Sequence, residues 1–280
     1  MNKVGILFSR MRKEEKLIFE EAQKMGVDLI RVDSRNLIMN GENHYDFNIL
    51  LDREISHTRS LYTLQMLESV GVKTVNSHRV ATICGDKVST TVALNQAGVP
   101  TLQVKVAFSR ESALEAIETM GYPVVLKPVI GSWGRLLAKI NDRDSAEAIL
   151  EHKAYLPSGY HSVFYIQEYV EKPGRDIRAF CIDGKTVCAI YRSSDHWITN
   201  TARGARAENC PLTPELINLC EQTVQAIGGG ILAVDIMETK DGLVINEVNH
   251  KMEFRNSIDI SGVNIPALIL EYTLKMDRLS

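Results

Sequence analysis

The sequence of 280 residues lacks several features that would assign it at once to a class of protein. Its five cysteines are odd in number and show no C-x-x-C spacing, which argues against a disulfide framework and a zinc site. The apolar run at residues 4–8 is too short for a signal segment or a membrane span. The formal net charge of -3 gives no overall attraction to nucleic acid or membrane. We therefore expect a cytoplasmic globular protein with reduced thiols and neither of those partners.

A dinucleotide-binding fingerprint is also absent, because no G-x-G-x-x-G follows the first strand. Residues 1–84 instead alternate strand and helix patterns, and two of the helices end at Gly26 and Gly71. This order predicts a small α/β domain with a largely parallel sheet. A second unit at 85–164 repeats the pattern, and a third at 165–280 contains a hairpin and a terminal helix. The predicted fold class is α/β, with the second and third units as α+β lobes.

Acidic residues occur at an unusual place, inside the apolar strand patterns 231–238 and 242–249. A three-residue loop between these strands would set Asp235 opposite Glu247, and Asn249 would project from the same face as Glu247. Magnesium is usually bound by one or two carboxylates together with substrate phosphates. The pattern predicts a magnesium site for an ion that arrives with ATP. A hairpin whose acids face solvent is the alternative.

Positive charge and glycine precede this hairpin in the sequence. Lys127 ends an apolar strand, where a buried ammonium group is costly unless an anion meets it. The loop at 131–134 has two glycines, which let backbone N–H groups approach phosphate oxygens closely. Lys87 lies at a helix start and offers a second positive charge. We interpret these residues as phosphate ligands, with a purely structural glycine hairpin and a solvated lysine as the alternatives.

The segment between the glycine loop and the hairpin offers contacts for the rest of a nucleotide. The strand at 165–170 ends at a Lys-Pro-Gly break, so its backbone can hydrogen-bond an adenine, with Asp176 available to a ribose hydroxyl. Ordinary surface carboxylates are the alternative for Glu168 and Asp176. Arg192 and the segment 200–203 add guanidinium and amide donors, and guanidinium groups match phosphates and carboxylates bidentately.

Taken together, these motifs resemble the RimK-like carboxylate-amine ligases of the ATP-grasp superfamily. The resemblance implies an ATP-grasp fold behind an N-terminal parallel-sheet pre-ATP-grasp domain. It further implies a central lobe that carries the glycine loop and a C-terminal lobe that carries the metal site. The matching segments are GDK (85–87), VVLKP (124–128), GSWGR (131–135), QEYV (167–170), GRDIR (174–178), TNTARG (199–204), VDI (234–236) and NEVN (246–249).

The resemblance implies ATP and two Mg²⁺ ions as cofactors. The implied metal ligands are Asp235, Glu247 and Asn249. The implied nucleotide contacts are Lys87, Lys127, Gly131, Ser132, Trp133, Gly134, Arg135, Leu136, Leu137, Gln167, Glu168, Tyr169, Val170, Asp176, Arg178, Arg192 and Asn200. The implied catalytic residues are Lys127 and Arg203, of which Arg203 steadies an acyl phosphate and a tetrahedral oxyanion. The implied substrate contacts are Thr201, Arg203, Asn256 and Ser257.

Within that family the resemblance covers the whole chain and is to enzymes that load a carrier protein for lysine synthesis. The implied partners are alpha-aminoadipate and a small acidic, LysW-like carrier whose C-terminal glutamate is activated through its side-chain carboxylate. Related enzymes that attach glutamate to the carrier have Gly-Phe where this chain has Asn256-Ser257, so the resemblance favours aminoadipate. It also implies a homo-oligomer, either a dimer or a tetramer. A local excess of arginine suits an acidic carrier: Arg175, Arg178, Arg192, Arg203 and Arg206.

Three alternatives stay open at this point. The first is ligation of glutamate to the same carrier or to the C-terminus of another protein. In the second, Asn256-Ser257 only forms a turn and does not contact substrate. The third is a non-catalytic nucleotide-binding scaffold, which the intact set of lysines and acids argues against.

Overall fold

The structure, a computed structural model, describes residues 3–41, 44–131, 134–199 and 204–279. Within those ranges its strands form three sheets, which confirms the mixed α/β fold class. Some residues of the predicted site lie outside the described part of the chain: Ser132, Trp133, Asn200, Thr201 and Arg203.

The N-terminal unit is a four-stranded parallel sheet with helices packed on it, as the alternating pattern predicted. Its elements are β1 Lys3–Leu7, α1 Lys13–Met25, β2 Asp28–Val32, β3 Ile49–Asp52, α2 His57–Ser69 and β4 Lys73–Val75. The strand order is β2-β1-β3-β4, and all neighbours pair in parallel. Helix α1 ends at Gly26, which has a φ of 66° in the left-handed region that glycine adopts at little cost.

Two helices connect this unit to the rest of the chain, where the sequence predicted one. They are α3 His78–Gly85 and α4 Lys87–Gln96. Asp86 separates them, and its carboxylate caps α4 by accepting a hydrogen bond of 2.8 Å from the Ser89 backbone N–H. A Cβ at position 85 would lie 1.8 Å from the His57 ring, so the junction requires glycine.

The second unit is an antiparallel four-stranded sheet covered by two helices. Its elements are β5 Val104–Ala107, α5 Arg110–Met120, β6 Val124–Lys127, β7 Ala138–Ile140, α6 Arg143–Ala154, a 3₁₀ helix Gly159–Ser162 and β8 Phe164–Glu168. The strand order is β5-β8-β6-β7. Helix α6 was not predicted. Strand β8, which the sequence analysis placed in the third unit, belongs to this sheet because it pairs with both β5 and β6.

The third unit is an antiparallel five-stranded sheet in the order β11-β10-β9-β12-β13. Its elements are β9 Arg175–Ile182, β10 Lys185–Ser193, β11 Arg206–Asn209, α7 Pro214–Ile227, β12 Ile231–Thr239, β13 Gly242–Asn249, α8 Ile258–Ser261 and α9 Ile265–Arg278. Among the described residues, no helix is both long and apolar enough to cross a bilayer.

The sheet of the third unit is buried on both faces. One face packs against α7, α3 and α4, with Leu94, Cys181 and Val224 in the shared core. The other face packs against the N-terminal sheet and α9, with Ile6 and Phe180 in the shared core. The N-terminal unit and the third unit are therefore held together by a continuous apolar core.

The β12–β13 hairpin reaches its predicted register by a different route. Its turn has two residues, since Thr239 pairs with Gly242, and an unbroken ladder would then set Asp235 opposite Asn246. A bulge beside Asp235 shifts the register by one residue, so that Asp235 pairs with Glu247. The predicted pair is present, but the bulge produces it and the assumed three-residue loop was wrong.

Candidate active site

A cleft that is open to solvent and encloses about 750 Å³ of empty space lies between the second and third units. It is lined from one side by strands β6 and β8 and from the other by the β12–β13 hairpin. The predicted residues that it brings together are Lys87, Lys127, Gly131, Gly134, Arg135, Leu137, Gln167, Glu168, Tyr169, Val170, Asp176, Arg192, Asp235 and Glu247. The predicted residues Leu136, Arg178, Asn249, Asn256 and Ser257 are not part of its lining.

Lys127 is the last residue of β6, and its side chain is buried in the wall of the cleft. The ammonium group donates a hydrogen bond of 2.8 Å to the side-chain oxygen of Asn246. Burial lowers the pKa of Lys127 to about 8, although the carboxylate of Glu247 opposes the shift. A buried cation whose hydrogen-bond partner among the described residues is the neutral side chain of Asn246 is a favourable place for a phosphate group.

Lys87 connects the glycine loop to the hairpin. Its ammonium group donates to Glu247 Oε1 at 3.1 Å and to the carbonyl oxygen of Gly131 at 3.0 Å. Gly131 and Gly134 have φ values of 145° and 64°, which side-chain-bearing residues rarely adopt. Leu136 shares the left-handed region at 56° and is exposed. Loop, lysine and hairpin acid therefore meet at one end of the cleft.

Two aromatic side chains, Tyr169 and Trp197, also line the cleft. The Tyr169 ring lies 3.7 Å from the Lys139 ammonium nitrogen and packs edge-on against Trp197 at 6.4 Å between centroids. The Glu168 carboxylate accepts a hydrogen bond of 2.7 Å from the backbone N–H of Gln103, so this side chain joins strand β8 to the segment before β5. Aromatic side chains in a cleft can pack against a nucleobase.

Asp176 and Arg192 form a buried ion pair behind the cleft surface. Arg192 Nε lies 2.7 Å from one oxygen of Asp176, and both residues are less than 5% exposed. The hydroxyl of Thr199 donates to the other oxygen of Asp176, and the Lys172 ammonium donates to Thr199 at 2.7 Å. The carboxylate that the sequence analysis assigned to a ribose hydroxyl is thus engaged by Arg192 and Thr199.

Asp235 is held by two arginines. Arg178 forms a fork on its carboxylate at 2.7 and 2.8 Å, and Arg192 Nη2 lies 3.2 Å from the same group. Burial alone would raise the pKa of Asp235, but the two guanidinium groups lower it, so the carboxylate stays ionised. Arg178, predicted as a nucleotide contact, is engaged with Asp235 through this fork. We call Asp176, Arg178, Arg192 and Asp235 the hairpin cluster.

The predicted metal ligands fit magnesium by their chemistry. Asp235 and Glu247 lie opposite each other on paired strands, and the Asn249 amide nitrogen is 3.5 Å from an Asp235 oxygen. Two carboxylates and an amide oxygen are hard donors of the type that Mg²⁺ prefers. Among the described residues, no three His, Cys, Asp or Glu side chains group in a way that would hold a metal. Both carboxylates have cationic partners, so an ion would share or replace arginine and lysine contacts.

The predicted substrate turn lies away from the cleft, beside the N-terminal unit. Asn256 is exposed, whereas Ser257 is buried and its backbone N–H donates to the Phe254 carbonyl at 2.9 Å. Arg255, in the same turn, has its Nε 3.9 Å from Glu14 Oε1 of α1. The turn therefore borders the N-terminal domain rather than the nucleotide cleft.

Most arginines that the sequence analysis offered to an acidic carrier are already engaged. Arg178 and Arg192 pair with Asp235 and Asp176 in the hairpin cluster, and Arg175 forms a fork on Glu238 at 2.7 and 2.8 Å. Arg206 is exposed. The local excess of arginine in the sequence is therefore largely an internal ion-pair network.

Three polar residues of the cleft escaped the sequence analysis: Lys172, Thr199 and Asn246. Asn246 stands inside the NEVN segment, but its role depends on the bulge that turns it toward Lys127. Lys172 precedes the Pro-Gly break, a position at which a surface lysine is the ordinary expectation. Thr199 carries no signal of its own and gains its role from a contact with Asp176, which is 23 residues away in sequence.

Two family models match directly adjacent parts of this chain. A LysX preATP-grasp domain matches residues 4–83, and a RimK-like ATP-grasp domain matches residues 84–273. The second match alone covers more than half of the chain.

Curated relatives and solved structures agree with these matches over nearly the full length. An alpha-aminoadipate–LysW ligase LysX of Saccharolobus solfataricus is 37% identical over 93% of this chain and 96% of that protein. A glutamate–LysW ligase ArgX of Sulfurisphaera tokodaii is 34% identical over 96% of this chain and 97% of that protein. The crystal structure of a RimK domain ATP-grasp protein from Sphaerobacter thermophilus superposes with a TM-score of 0.84 and 27% identity, covering 97% of this chain and 99% of that chain.

Proposed function

This chain belongs to the RimK-like ATP-grasp family and is an ATP-dependent carboxylate-amine ligase, and we propose that it joins alpha-aminoadipate to a LysW-like carrier protein in lysine biosynthesis. The bond forms between the α-amino group of aminoadipate and the side-chain carboxyl group of the carrier's C-terminal glutamate. The observation that carries the proposal is similarity to the aminoadipate ligases over both domains, and not over the ATP-grasp domain alone. We further propose that the protein is a cytoplasmic homo-oligomer, dimer or tetramer.

The cleft supports nucleotide binding through its two lysines. We propose that Lys127 and Lys87 contact the phosphate oxygens of ATP and that the glycine loop at 131–137 covers them. The ammonium group of Lys87 lies 3.1 Å from Glu247 Oε1. We propose that Lys87 moves to the phosphates when ATP binds, which leaves the Glu247 carboxylate available to magnesium.

Asp235, Glu247 and Asn249 would hold the magnesium, and we propose two ions. When bound, they neutralise charge on the transferred phosphoryl group and help to orient it. Arg192 and Arg178 keep Asp235 ionised and fixed in direction, so the hairpin presents a preformed oxygen ligand.

The proposed reaction has two steps. An oxygen of the carrier carboxylate attacks the γ-phosphorus, and the bond between this phosphorus and the β–γ bridging oxygen breaks. ADP departs, and the carrier carries an acyl phosphate. The amine of aminoadipate then attacks the acyl carbon, and inorganic phosphate departs with the original carboxylate oxygen while the nitrogen loses a proton. Lys127 neutralises developing charge in the first step. Arg203 and Thr201, outside the described residues, are proposed to contact the acyl phosphate.

Glutamate ligation to the same carrier is the second candidate function. It is favoured by the similarity to the glutamate–LysW ligase, which also extends over nearly the whole chain. Asn256-Ser257, where the resemblance expects Gly-Phe in glutamate ligases, supports the aminoadipate assignment over this alternative.

Intact mass spectrometry of a LysW-like carrier tests the proposal. The carrier is incubated with this protein, Mg-ATP and either aminoadipate or glutamate, with ATP omitted as the control. We expect a mass gain of one aminoadipate residue that requires ATP, and a much smaller gain with glutamate. A mass gain with glutamate alone would move the assignment to the glutamate–LysW ligases. No gain with either amino acid would contradict the proposal that the carrier is the acceptor.

A further inference from the structure

Asn246 is the extra residue of the bulge in the β12–β13 hairpin. Asp235 pairs with Glu247 and Ile236 pairs with Ile245, so the register skips Asn246. The bulge therefore inserts an amide side chain directly before Glu247, one of the proposed metal ligands.

The bulge places two consecutive side chains on the same face of β13. Ile245 and Val248 are 2% and 1% exposed and belong to the core that the sheet shares with α7. Asn246 and Glu247, between them in sequence, both line the nucleotide cleft. An unbroken strand alternates its side chains between the two faces, so it would present only one of these two residues to the cleft. The bulge thus creates an adjacent amide and carboxylate that both face the nucleotide site.

This amide and this carboxylate bind the two lysines of the cleft. Asn246 Oδ1 accepts a hydrogen bond of 2.8 Å from Lys127, and Glu247 Oε1 accepts one of 3.1 Å from Lys87. Lys127 ends β6 in the second unit, so the bond to Asn246 joins the second unit to the third across the cleft. The carboxylate compensates the charge of Lys87, whereas the amide holds Lys127 without adding an opposite charge.

A neutral partner for a buried ammonium group favours ligand binding over stability. A hydrogen bond between two ionised groups is stronger than one to an amide, so a carboxylate at position 246 would compensate Lys127 better. The amide leaves the positive charge to be met by a phosphate group. It also fixes the direction of a long, flexible side chain, which lowers the entropy that nucleotide binding has to cost.

We propose that Asn246 is a positioning residue of the nucleotide site, which holds the Lys127 ammonium group across the cleft for the phosphates of ATP without neutralising it. This inference rests on the proposed function, in which Lys127 contacts those phosphates. It assigns a role to the bulge, because without the extra residue the hairpin would not present an amide beside Glu247.

Asn246→Asp tests the neutrality of the partner with almost no change of shape. Its carboxylate should pair with Lys127 and compete with phosphate, so the Kd of the non-hydrolysable analogue Mg-AMPPNP should rise about tenfold or more in calorimetry. The urea midpoint should be no lower than that of the wild type, because the buried ammonium gains a counter-charge. A merely structural role of Asn246 would not weaken nucleotide binding in a protein that is as stable as the wild type.

Asn246→Leu tests the hydrogen bond without adding charge. Lys127 then loses its fixed direction, and the Kd of Mg-AMPPNP should rise about threefold to tenfold. Wild-type affinity in Asn246→Leu would overturn the proposal, since the loss in Asn246→Asp would then come only from added negative charge. Asn218→Asp, exposed on α7 and not part of the cleft lining, is the control for the charge change and should bind as the wild type does.

A Lys127→Met background shows whether Asn246 acts through the lysine, and it also serves if Asn246→Leu alone fails to fold. With the ammonium group gone, adding Asn246→Leu should leave the Kd of Mg-AMPPNP unchanged within about twofold. A further loss in the double variant would show that Asn246 acts by another route and would overturn the proposal.

These binding measurements need neither the carrier nor the amino acid, so they separate the positioning role from the proposed function. If the Asn246 variants weaken Mg-AMPPNP as expected but the wild type adds no mass to the carrier, the proposed function fails and the positioning role stands. If the wild type modifies the carrier and both Asn246 variants bind Mg-AMPPNP normally, the positioning role fails and the proposed function stands.

Discussion

The two charged clusters of this protein differ in how completely their charges are paired. In the hairpin cluster, Asp176 and Asp235 each have a guanidinium partner within 2.7 Å. In a second cluster, where the start of α1 meets Arg53, the Glu15 carboxylate accepts hydrogen bonds from Arg12 and Arg53, whereas Glu14 and Arg53 each have one buried atom with no hydrogen-bond partner among the described residues. A paired carboxylate such as Asp235 must exchange or share partners to take a metal ion. The two clusters thus differ in how far the fold compensates its own buried charges.

The largest expected effect comes from breaking the hairpin cluster. Asp235→Asn removes the counter-charge of two buried guanidinium groups and should lower the free energy of unfolding by about 3–5 kcal/mol. Ligation should fall by about a hundredfold or more, because a proposed metal ligand is lost. Urea denaturation and the rate of ADP release measure the two effects. Asp241→Asn, exposed in the turn of the same hairpin, is the control. A folded Asp235→Asn protein with near-normal activity would contradict the assignment.

Glu14 and Glu15, adjacent in the first turn of α1, allow a paired and a poorly paired buried carboxylate to be compared directly. Glu15→Gln should lower the free energy of unfolding by about 3 kcal/mol, since the carboxylate holds Arg12 and Arg53 in place. Glu14→Gln should leave it unchanged within about 0.5 kcal/mol or raise it, because it removes a poorly paired buried charge. Chemical denaturation of both variants provides the measurement. Equal losses in the two variants would show that Glu14 is also a structural ion-pair partner.

The pH dependence of nucleotide binding tests the lysine side of the cleft. The pKa of Lys127 is lowered to about 8 by burial, so its side chain becomes neutral in the free protein above that pH. Phosphate favours the ammonium form, so ATP affinity should fall as pH rises, approaching about tenfold per pH unit. Binding at pH 9 should take up a proton, which calorimetry in two buffers of different ionisation enthalpy detects. Lys127→Arg should bind without proton uptake, and wild-type binding without uptake would refute the lysine's role.

The smallest effect is expected at the substrate turn. Replacing Asn256-Ser257 by Gly-Phe should shift the kcat/KM ratio of aminoadipate to glutamate toward glutamate by about tenfold, as one methylene group in a pocket allows. Ser257 is buried, so the larger ring should also cost about 1–3 kcal/mol of stability. The single variant Asn256→Gly shows how much of each effect comes from position 256 and how much from position 257. If the double variant folds and its kcat/KM ratio of aminoadipate to glutamate is unchanged, the turn does not select between the two substrates.

Local patterns predicted much of the fold, and the misses have physical causes. Strand and helix alternation indicated the parallel sheet correctly, and both helices of the N-terminal unit ended where predicted. Helix α6 was missed, although Asp142 and Ser145 form a capping box at its start, because its residues are mostly polar. The hairpin register depended on a bulge that composition does not reveal.

A site residue could be predicted where its own place in the sequence pattern is unusual. It could not be predicted where its role depends on hydrogen-bond partners from distant segments. Lys127 stands out as a lysine that ends an apolar strand. The fork between Arg178 and Asp235 joins residues 57 positions apart, and Arg53 meets Met252 across 199 positions. Glu14 and Glu15 are identical neighbours in sequence, yet Glu15 is paired by Arg12 of the same helix start and by the distant Arg53, whereas Glu14 has an oxygen with no hydrogen-bond partner among the described residues.

Isotope transfer from the carrier carboxylate to phosphate tests the central claim most directly. A carrier whose C-terminal glutamate carboxylates contain ¹⁸O is incubated with this protein, Mg-ATP and aminoadipate, and the released phosphate is analysed by mass spectrometry. Activation through an acyl phosphate predicts one ¹⁸O atom in phosphate for each amide bond formed, together with ADP. Unlabelled phosphate, or AMP and pyrophosphate as products, would contradict the account.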